Sequence, residues 1–182
     1  MGGPPIIRTE RLLLRPFRME DAPRVQELAG AREIYATTEH VPHPYEDGMA
    51  EQWIASLDAR LESREQIAFA ITLLDGGALA GSISLRVAAP HRRAALGYWI
   101  GVPYWGRGYA TEAAVAVIRY GFEELGLHKI TAQHMTGNPA SARVMVKAGM
   151  QREGELVDEF LKDGVFHSVA VYGIVNSTGV SE

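Results

Sequence analysis

The sequence predicts an α/β (α+β) domain: one mixed sheet flanked by helices. Three observations carry that expectation. Ile67, Phe69, Ile71 and Leu73 alternate with smaller residues, Asp75-Gly76-Gly77 turns the chain, and Leu79, Ile83, Leu85 and Val87 alternate again, the pattern of a β-hairpin. Farther on, apolar residues at Ala110, Ala113, Ala114, Val117, Ile118 and Leu125 share one face of a helix. Finally, 182 residues at 47% hydrophobic and 22% charged suit one globular domain with its own core.

The remaining elements follow in order. Residues 1–7 are expected to be a flexible tail, and the domain to span 8–175. Leu12-Leu13-Leu14, between Arg11 and Arg15, reads as a buried strand that Pro16 closes. Glu20, Asp21 and Pro23 mark a helix start, with Ala22, Val25, Leu28 and Ala29 as its apolar stripe before Gly30. Pro42 and Pro44 exclude a continuous helix across 31–47, which reads as irregular. A second helix is expected over 48–63, turning Met49, Trp53, Ile54, Leu57 and Leu61 inward.

After the hairpin comes a third strand near 94–100, and the helix from Ala110 ends near Gly126. Residues 128–135 form a strand with Ile130 and Ala132 on one face, Thr131 and Gln133 on the other. Asn138 is an apt N-cap and Pro139 an apt first helical residue; Ala142, Met145 and Val146 form the apolar stripe, and Gly149 stops the helix. Two strands, about 151–160 and 165–175, joined at Lys162-Asp163-Gly164, close the domain before a flexible tail over 176–182. The tally is about seven strands and about four helices.

Composition narrows the function. With no cysteine, disulfides, thiolate metal sites and a cysteine nucleophile are excluded. His40 and His43 have no third ligand at a metal-site spacing, so no metal is expected. No apolar run approaches the ~18 residues of a membrane span, and the first residues lack the basic and apolar regions of a signal peptide. A cytoplasmic protein is expected. The net charge of −4 argues against nucleic acid or an anionic membrane as partner.

The most informative stretch runs from Gly97 to Ala114: a strand at Tyr98-Trp99-Ile100, a loop holding Gly106 and Gly108, then the helix. A glycine loop opening onto a helix N-terminus offers unpaired N–H groups and a partial positive charge, a natural phosphate seat, and Arg107 adds a full charge. A mononucleotide loop needs Gly-Lys then Ser or Thr, which Arg107-Gly108-Tyr109 does not supply. A dinucleotide fingerprint needs glycine where Thr111 stands, and an acidic residue near 128–130, where there is none.

Instead, Tyr104-Trp105-Gly106-Arg107-Gly108-Tyr109-Ala110-Thr111-Glu112-Ala113 resembles the acetyl-CoA pyrophosphate loop of the GCN5-related N-acetyltransferases (GNAT), in particular the branch of the ribosomal-protein alanine N-acetyltransferases. The opening Thr9-Glu10-Arg11-Leu12-Leu13-Leu14-Arg15-Pro16 is similar to the start of that branch, and Asn138-Pro139-Ala140-Ser141 to the family's Asn-x-x-Ser element. The resemblance spans roughly 8–175 and implies the GNAT fold with a mostly antiparallel sheet.

It also implies a site. Acetyl-CoA would be held by Trp105, Gly106, Arg107, Gly108, Tyr109, Ala110 and Thr111 at its diphosphate. Main chain at Trp99, Ile100, Gly101 and Val102 would line the pantetheine arm, with Asn138 holding that arm or an ordered water. The Ser141 hydroxyl would reach the sulfur. Arg143, with Lys147, either meets the 3′-phosphate or is a solvated helix face. Without a cofactor, Asn138 is an N-cap, Ser141 a helix-end serine and Glu112 a carboxylate at a helix dipole.

The implied reaction is acetyl transfer to a primary amine by direct attack in a ternary complex. A protein N-terminal amine, such as that of a ribosomal protein, or a small amine is the acceptor. Charge building on the thioester oxygen calls for preorganised donors, the departing thiolate for a proton donor, and the attacking ammonium for a base. The branch often has a glutamate just before the Gly-Tyr-Trp run, where this chain has Ala94-Ala95-Leu96. Glu39, His40, His134, Glu153 and Asp158 are then the remaining candidates, and the base stays unassigned. The missing carboxylate keeps a rival open, a non-catalytic acyl-CoA-binding sensor or assembly module. The family commonly forms homodimers.

Overall fold

A computed structural model describes residues 4–177. The strands are β1 (Ile7–Arg8), β2 (Leu12–Arg15), β3 (Gln66–Leu73), β4 (Leu79–Ala88), β5 (Arg93–Ile100), β6 (Lys129–Met135), β7 (Gln151–Lys162) and β8 (Val165–Val175). The helices are α1 (Ala22–Ala29), α2 (Arg32–Thr37), α3 (Met49–Glu62), α4 (Tyr109–Glu123) and α5 (Pro139–Lys147). All the strands join one sheet in the order β1-β2-β3-β4-β5-β6-β8-β7.

Only β5 and β6 run parallel, because α4 carries the chain back across the sheet between them, as a parallel pair requires. Their pairing is short. It extends from Arg93↔Lys129 to Leu96↔Ala132 and stops, so the two strands part over Gly97–Ile100 on one side and Gln133–Met135 on the other.

Period-two alternation sorts the sheet's residues between two cores. Phe69, Ile71, Ile83, Leu85 and Ile130 pack under Ala113, Ala114 and Val117 of α4 and Met145 of α5. On the opposite face Ala70 and Leu79 meet Ala22, Val25 and Ala29 of α1 and Ala50 and Ile54 of α3. The start of α1 is fixed to β2 by a fork: Arg15 Nη1 and Nη2 donate to Asp21 Oδ2 and Oδ1 at 2.7 and 2.8 Å.

Two elements exceed the sequence expectation. β1 is a two-residue strand pairing Ile7 with Leu14, at the edge of the region read as tail. α2 lies in the segment read as irregular: Pro42 and Pro44 bar helix only beyond Thr37, and Ile34 gives the short helix a buried anchor. Val146 is also corrected. It is 59% exposed, and the inward side of α5 is carried by Met145 with Ala142 and Val144 half-buried beside it. Residues 1–3 and 178–182 of the expected tails lie outside the described residues.

The β7–β8 hairpin is tied back over the sheet at its tip. Lys162 Nζ donates to the Tyr35 and Thr38 carbonyls and sits 3.7 Å from the Tyr35 ring centroid, while the Tyr35 hydroxyl donates to Asp163 Oδ1 at 2.7 Å. These bonds hold the segment after α2 against the hairpin, and together they wall one side of a cleft.

Candidate active site

A cleft of about 1120 Å³ follows the parting of β5 and β6. One end is formed by the loop before α4 and the first turn of that helix, the middle by Tyr98, Trp99, Asn138 and Ser141, the other end by α3, the segment after α2, and β4. All three tryptophans of the chain, Trp53, Trp99 and Trp105, line it.

At the α4 end the backbone is arranged as an anion seat. Gly106 and Gly108 have φ of +73° and +79°, a region that a side chain strains, and a Cβ at Gly106 would meet open space. No main-chain N–H from Gly106 to Thr111 finds an acceptor among the described residues; the first helical bond is Glu112 N–H to the Gly108 carbonyl at 3.1 Å. Such a run of orphan donors at the positive end of a fifteen-residue helix fits a diphosphate.

The seat is clamped from behind. Glu112 accepts from Thr9 Oγ1 at 2.6 Å, the Arg11 amide at 2.8 Å and Arg11 Nε at 2.7 Å, and Arg11 Nη1 donates to the Arg107 carbonyl at 2.9 Å. Burial alone would push the Glu112 carboxyl up, but the bonds from Thr9 and Arg11 outweigh it and hold the carboxyl below its ordinary range. The carboxylate read from sequence as a helix-dipole partner thus ties α4 to the turn before β2 and, through Arg11, to the loop.

In the middle, strand alternation decides which main-chain groups face the gap. Gly101 N–H donates to the Ala80 carbonyl of β4 at 2.8 Å, so Trp99 shares that direction. Tyr98 and Ile100 therefore turn their main-chain groups toward the parted side, where Trp105 Nε1 already donates to the Ile100 carbonyl at 2.5 Å.

Ser141 does not stand alone. Its Oγ lies 2.7 Å from the Tyr98 hydroxyl, which also reaches the Ser141 carbonyl at 3.3 Å. Burial pushes the Tyr98 phenol up to about 12, only partly offset by the bond to Ser141, so the phenol stays a proton donor throughout the neutral range. When it donates to Ser141 Oγ, the serine's own proton is released to point into the cleft. Asn138 caps α5 as expected, its Oδ1 accepting from Ser141 N–H at 3.2 Å; the same residue lines the cleft.

Not every expected residue joins the cleft. Trp99, Ile100, Trp105, Gly106, Gly108, Tyr109, Ala110, Thr111, Asn138, Ser141 and Arg143 line it, whereas Gly101, Val102 and Arg107 do not. Gly101 is buried with its N–H spent on β4, and a Cβ there would lie 2.7 Å from Leu28. Val102 opens a 3-10 turn, and Arg107 is exposed at the rim.

Position also sorts the base candidates. Glu153 is paired with Lys129 at 2.8 Å and Asp158 lies in a bulge of β7, both away from the cleft. His134 lines the cleft but is buried: Nδ1 lies 2.7 Å from the Met135 carbonyl, and Nε2 has no partner among the described residues. Glu39 is the one carboxylate lining the cleft among the described residues, taking a bond from Gln133 Nε2 at 3.2 Å, with His40 beside it at 3.7 Å. No group of three His, Asp or Glu side chains that could hold a metal exists among the described residues, and no helix is long and apolar enough to cross a membrane.

The comparisons with known proteins agree with this geometry. The family profile described as Acetyltransferase (GNAT) domain matches residues 11–151. Uncharacterized N-acetyltransferase YoaA of Bacillus subtilis is 33% identical over 174 residues, covering 94% of this chain and 97% of that protein. The [Ribosomal protein uS5]-alanine N-acetyltransferase of Escherichia coli is 30% identical over 87% of this chain and 84% of its own length. Among solved structures, a GNAT-family acetyltransferase from Bacillus anthracis superposes with a TM-score of 0.82 at 27% identity, covering 93% and 98% of the two chains. On the family profile and these relatives, the chain belongs to the GNAT family and is an acetyl-CoA-dependent N-acetyltransferase.

Proposed function

We propose that acetyl transfer is direct, with amine and thioester meeting in a ternary complex where β5 and β6 part. Acetyl-CoA supplies the activated acyl group. The diphosphate rests on the N–H groups from Gly106 to Thr111, the pantetheine arm runs along Tyr98 to Ile100 and past Asn138, and Arg143 at the rim faces the nucleotide. Ser141, backed by Tyr98, delivers a proton to the leaving thiolate. Glu39 receives the acceptor's ammonium and draws off its proton.

The observation that carries this reading is the order of groups along one cleft: orphan N–H groups at one end, the Tyr98–Ser141 pair midway, and at the other Glu39, the one lining carboxylate among the described residues. No side-chain nucleophile is needed between them. Two acceptor classes fit: a protein N-terminal amine, supported by the likeness to the uS5-alanine enzyme, and a small amine.

The test is thiol release from acetyl-CoA across an amine panel. Because the chain has no cysteine, a thiol-reactive dye reports only free coenzyme A. Glu39→Gln is expected to cut kcat/KM for the amine by about 10²-fold while the affinity for coenzyme A holds. Tight coenzyme A binding without thiol release from any amine would instead support the sensor reading.

A further inference from the structure

We infer that the acceptor is a small amine that also carries a carboxylate or phosphate group, seated on Arg60 and Arg86; this rests on the transfer reaction proposed above. The basis is the floor of the cleft beyond Glu39. Ser82, Ser84 and Arg86 share one face of β4, directly across from Trp99, Gly97 and Ala95 of β5. That face bears the second core only where α1 and α3 cover it, and over these residues it lies open as cleft lining.

Both guanidiniums there lack an acidic partner among the described residues. Arg15 and Arg24 are ion-paired with Asp21 and Glu27, and Arg11 with Glu112. Arg86 has Ala95 opposite it on β5 and Gln66 opposite it on β3, and its polar contact is His40 Nε2 at 3.3 Å. Arg60, from the last turn of α3, donates to Gln66 Oε1 at 3.0 Å, and Gln66 Nε2 donates on to Ser84 Oγ at 3.1 Å. Gln66 thus links Arg60 to Ser84, two positions before Arg86 on the same face of β4, in one polar strip whose unspent donors point to an oxyanion.

Charge selects the acceptor. Against the one carboxylate Glu39, the two guanidiniums leave this end of the cleft positive in a chain that is net negative. A polyamine would meet repulsion there, and an uncharged peptide segment would leave the forked donors unused. A carboxylate or phosphate matches them in the bidentate geometry guanidinium prefers. The spacing fits as well: Arg86 and Glu39 both approach the same atom, His40 Nε2, at 3.3 and 3.7 Å. Amine and anion therefore belong a few bonds apart in the same molecule.

The experiment uses matched pairs, β-alanine against its amide and phosphoethanolamine against ethanolamine, with spermidine and an uncharged tetrapeptide amide as further arms. The acid member of at least one pair is expected to lead by about tenfold in kcat/KM. The two pairs separate carboxylate from phosphate. Arg86→Gln and Arg60→Gln should each pull that ratio toward one, through KM. In parallel, Trp53 at this end and Trp99 in the adjoining middle make intrinsic fluorescence a binding readout. The acid member should quench the coenzyme A-loaded chain more strongly than its neutral twin, and that difference should vanish in R86Q.

Pair ratios near one, preference for spermidine or the peptide amide, or ratios indifferent to both substitutions would overturn the anion seat. The fluorescence arm decides it even where no amine turns over. Failure of the transfer reading looks different: no thiol release from any arm, whether or not coenzyme A binds.

Discussion

Ser141→Ala is expected to lower kcat by about 10²-fold, within the range for loss of a positioned acid, with the KM for acetyl-CoA little changed. Tyr98→Phe should lower kcat in the same direction but less, and the double variant should lose no more than Ser141→Ala alone. The reason is that the two hydroxyls act as a unit, 2.7 Å apart, and members of one unit are not additive. A serine that merely ends a helix would leave kcat unchanged. Full additivity would mean that Tyr98 acts by packing rather than through the serine.

The same pair has a signature in stability. Burial lifts the Tyr98 phenol from its ordinary value near 10 to about 12 in the native chain. Between those values the unfolded chain gives up this proton before the folded one does, so stability falls as pH rises. The contribution is complete below pH 10 and lost through about pH 12, on the order of 2–3 kcal/mol. Tyr98→Phe has no proton to lose. The gap between wild type and variant in urea melts should therefore narrow or reverse between pH 9.5 and 11.5, and stay constant from pH 6 to 9. Other buried tyrosines titrate in both proteins and cancel in that difference.

What could be read from the sequence divides by distance along the chain. The loop holding Gly106 and Gly108 and the cap at Asn138 are written within a few consecutive residues, where backbone preference is local. The hairpin and the faces of β6 and α4 follow from periodicity. The Tyr98–Ser141 pair spans 43 positions and hides inside a strand pattern that any aromatic would satisfy. The bond between Gln133 and Glu39 spans 94, and only the sheet's register brings Gln66, Arg86 and Ala95 side by side. The helix α2 was obscured because prolines a few residues downstream dominate the local signal. The family resemblance places Gly101 and Val102 along the cleft with Trp99 and Ile100, but alternation turns the Gly101 N–H to β4, and neither residue lines the cleft.

Glu112→Ala is the substitution with the largest expected loss of stability, and magnitude is what separates its two readings. A carboxylate that only complements the α4 dipole contributes about 0.3–1 kcal/mol. The clamp contributes more, because alanine strands the Thr9 hydroxyl and the Arg11 amide and frees the guanidinium that holds the Arg107 carbonyl. The expected cost is about 2–3 kcal/mol, less than for a fully buried pair, since the Arg11 side chain is 47% exposed while that of Glu112 is 16%. The Glu112 carboxyl sits below its ordinary range in the native chain. Its stabilisation is therefore present above the ordinary carboxylate pKa and disappears as pH falls through the depressed native value. The stability gap between wild type and Glu112→Ala should be flat from pH 5.5 to 8 and close in acid. Loosening the loop also blurs the row of N–H donors, so the KM for acetyl-CoA should rise about tenfold, well beyond any change in kcat. A gap under 1 kcal/mol with KM unmoved would return Glu112 to a simple helix-start residue, and would leave the diphosphate seat held by its glycines alone.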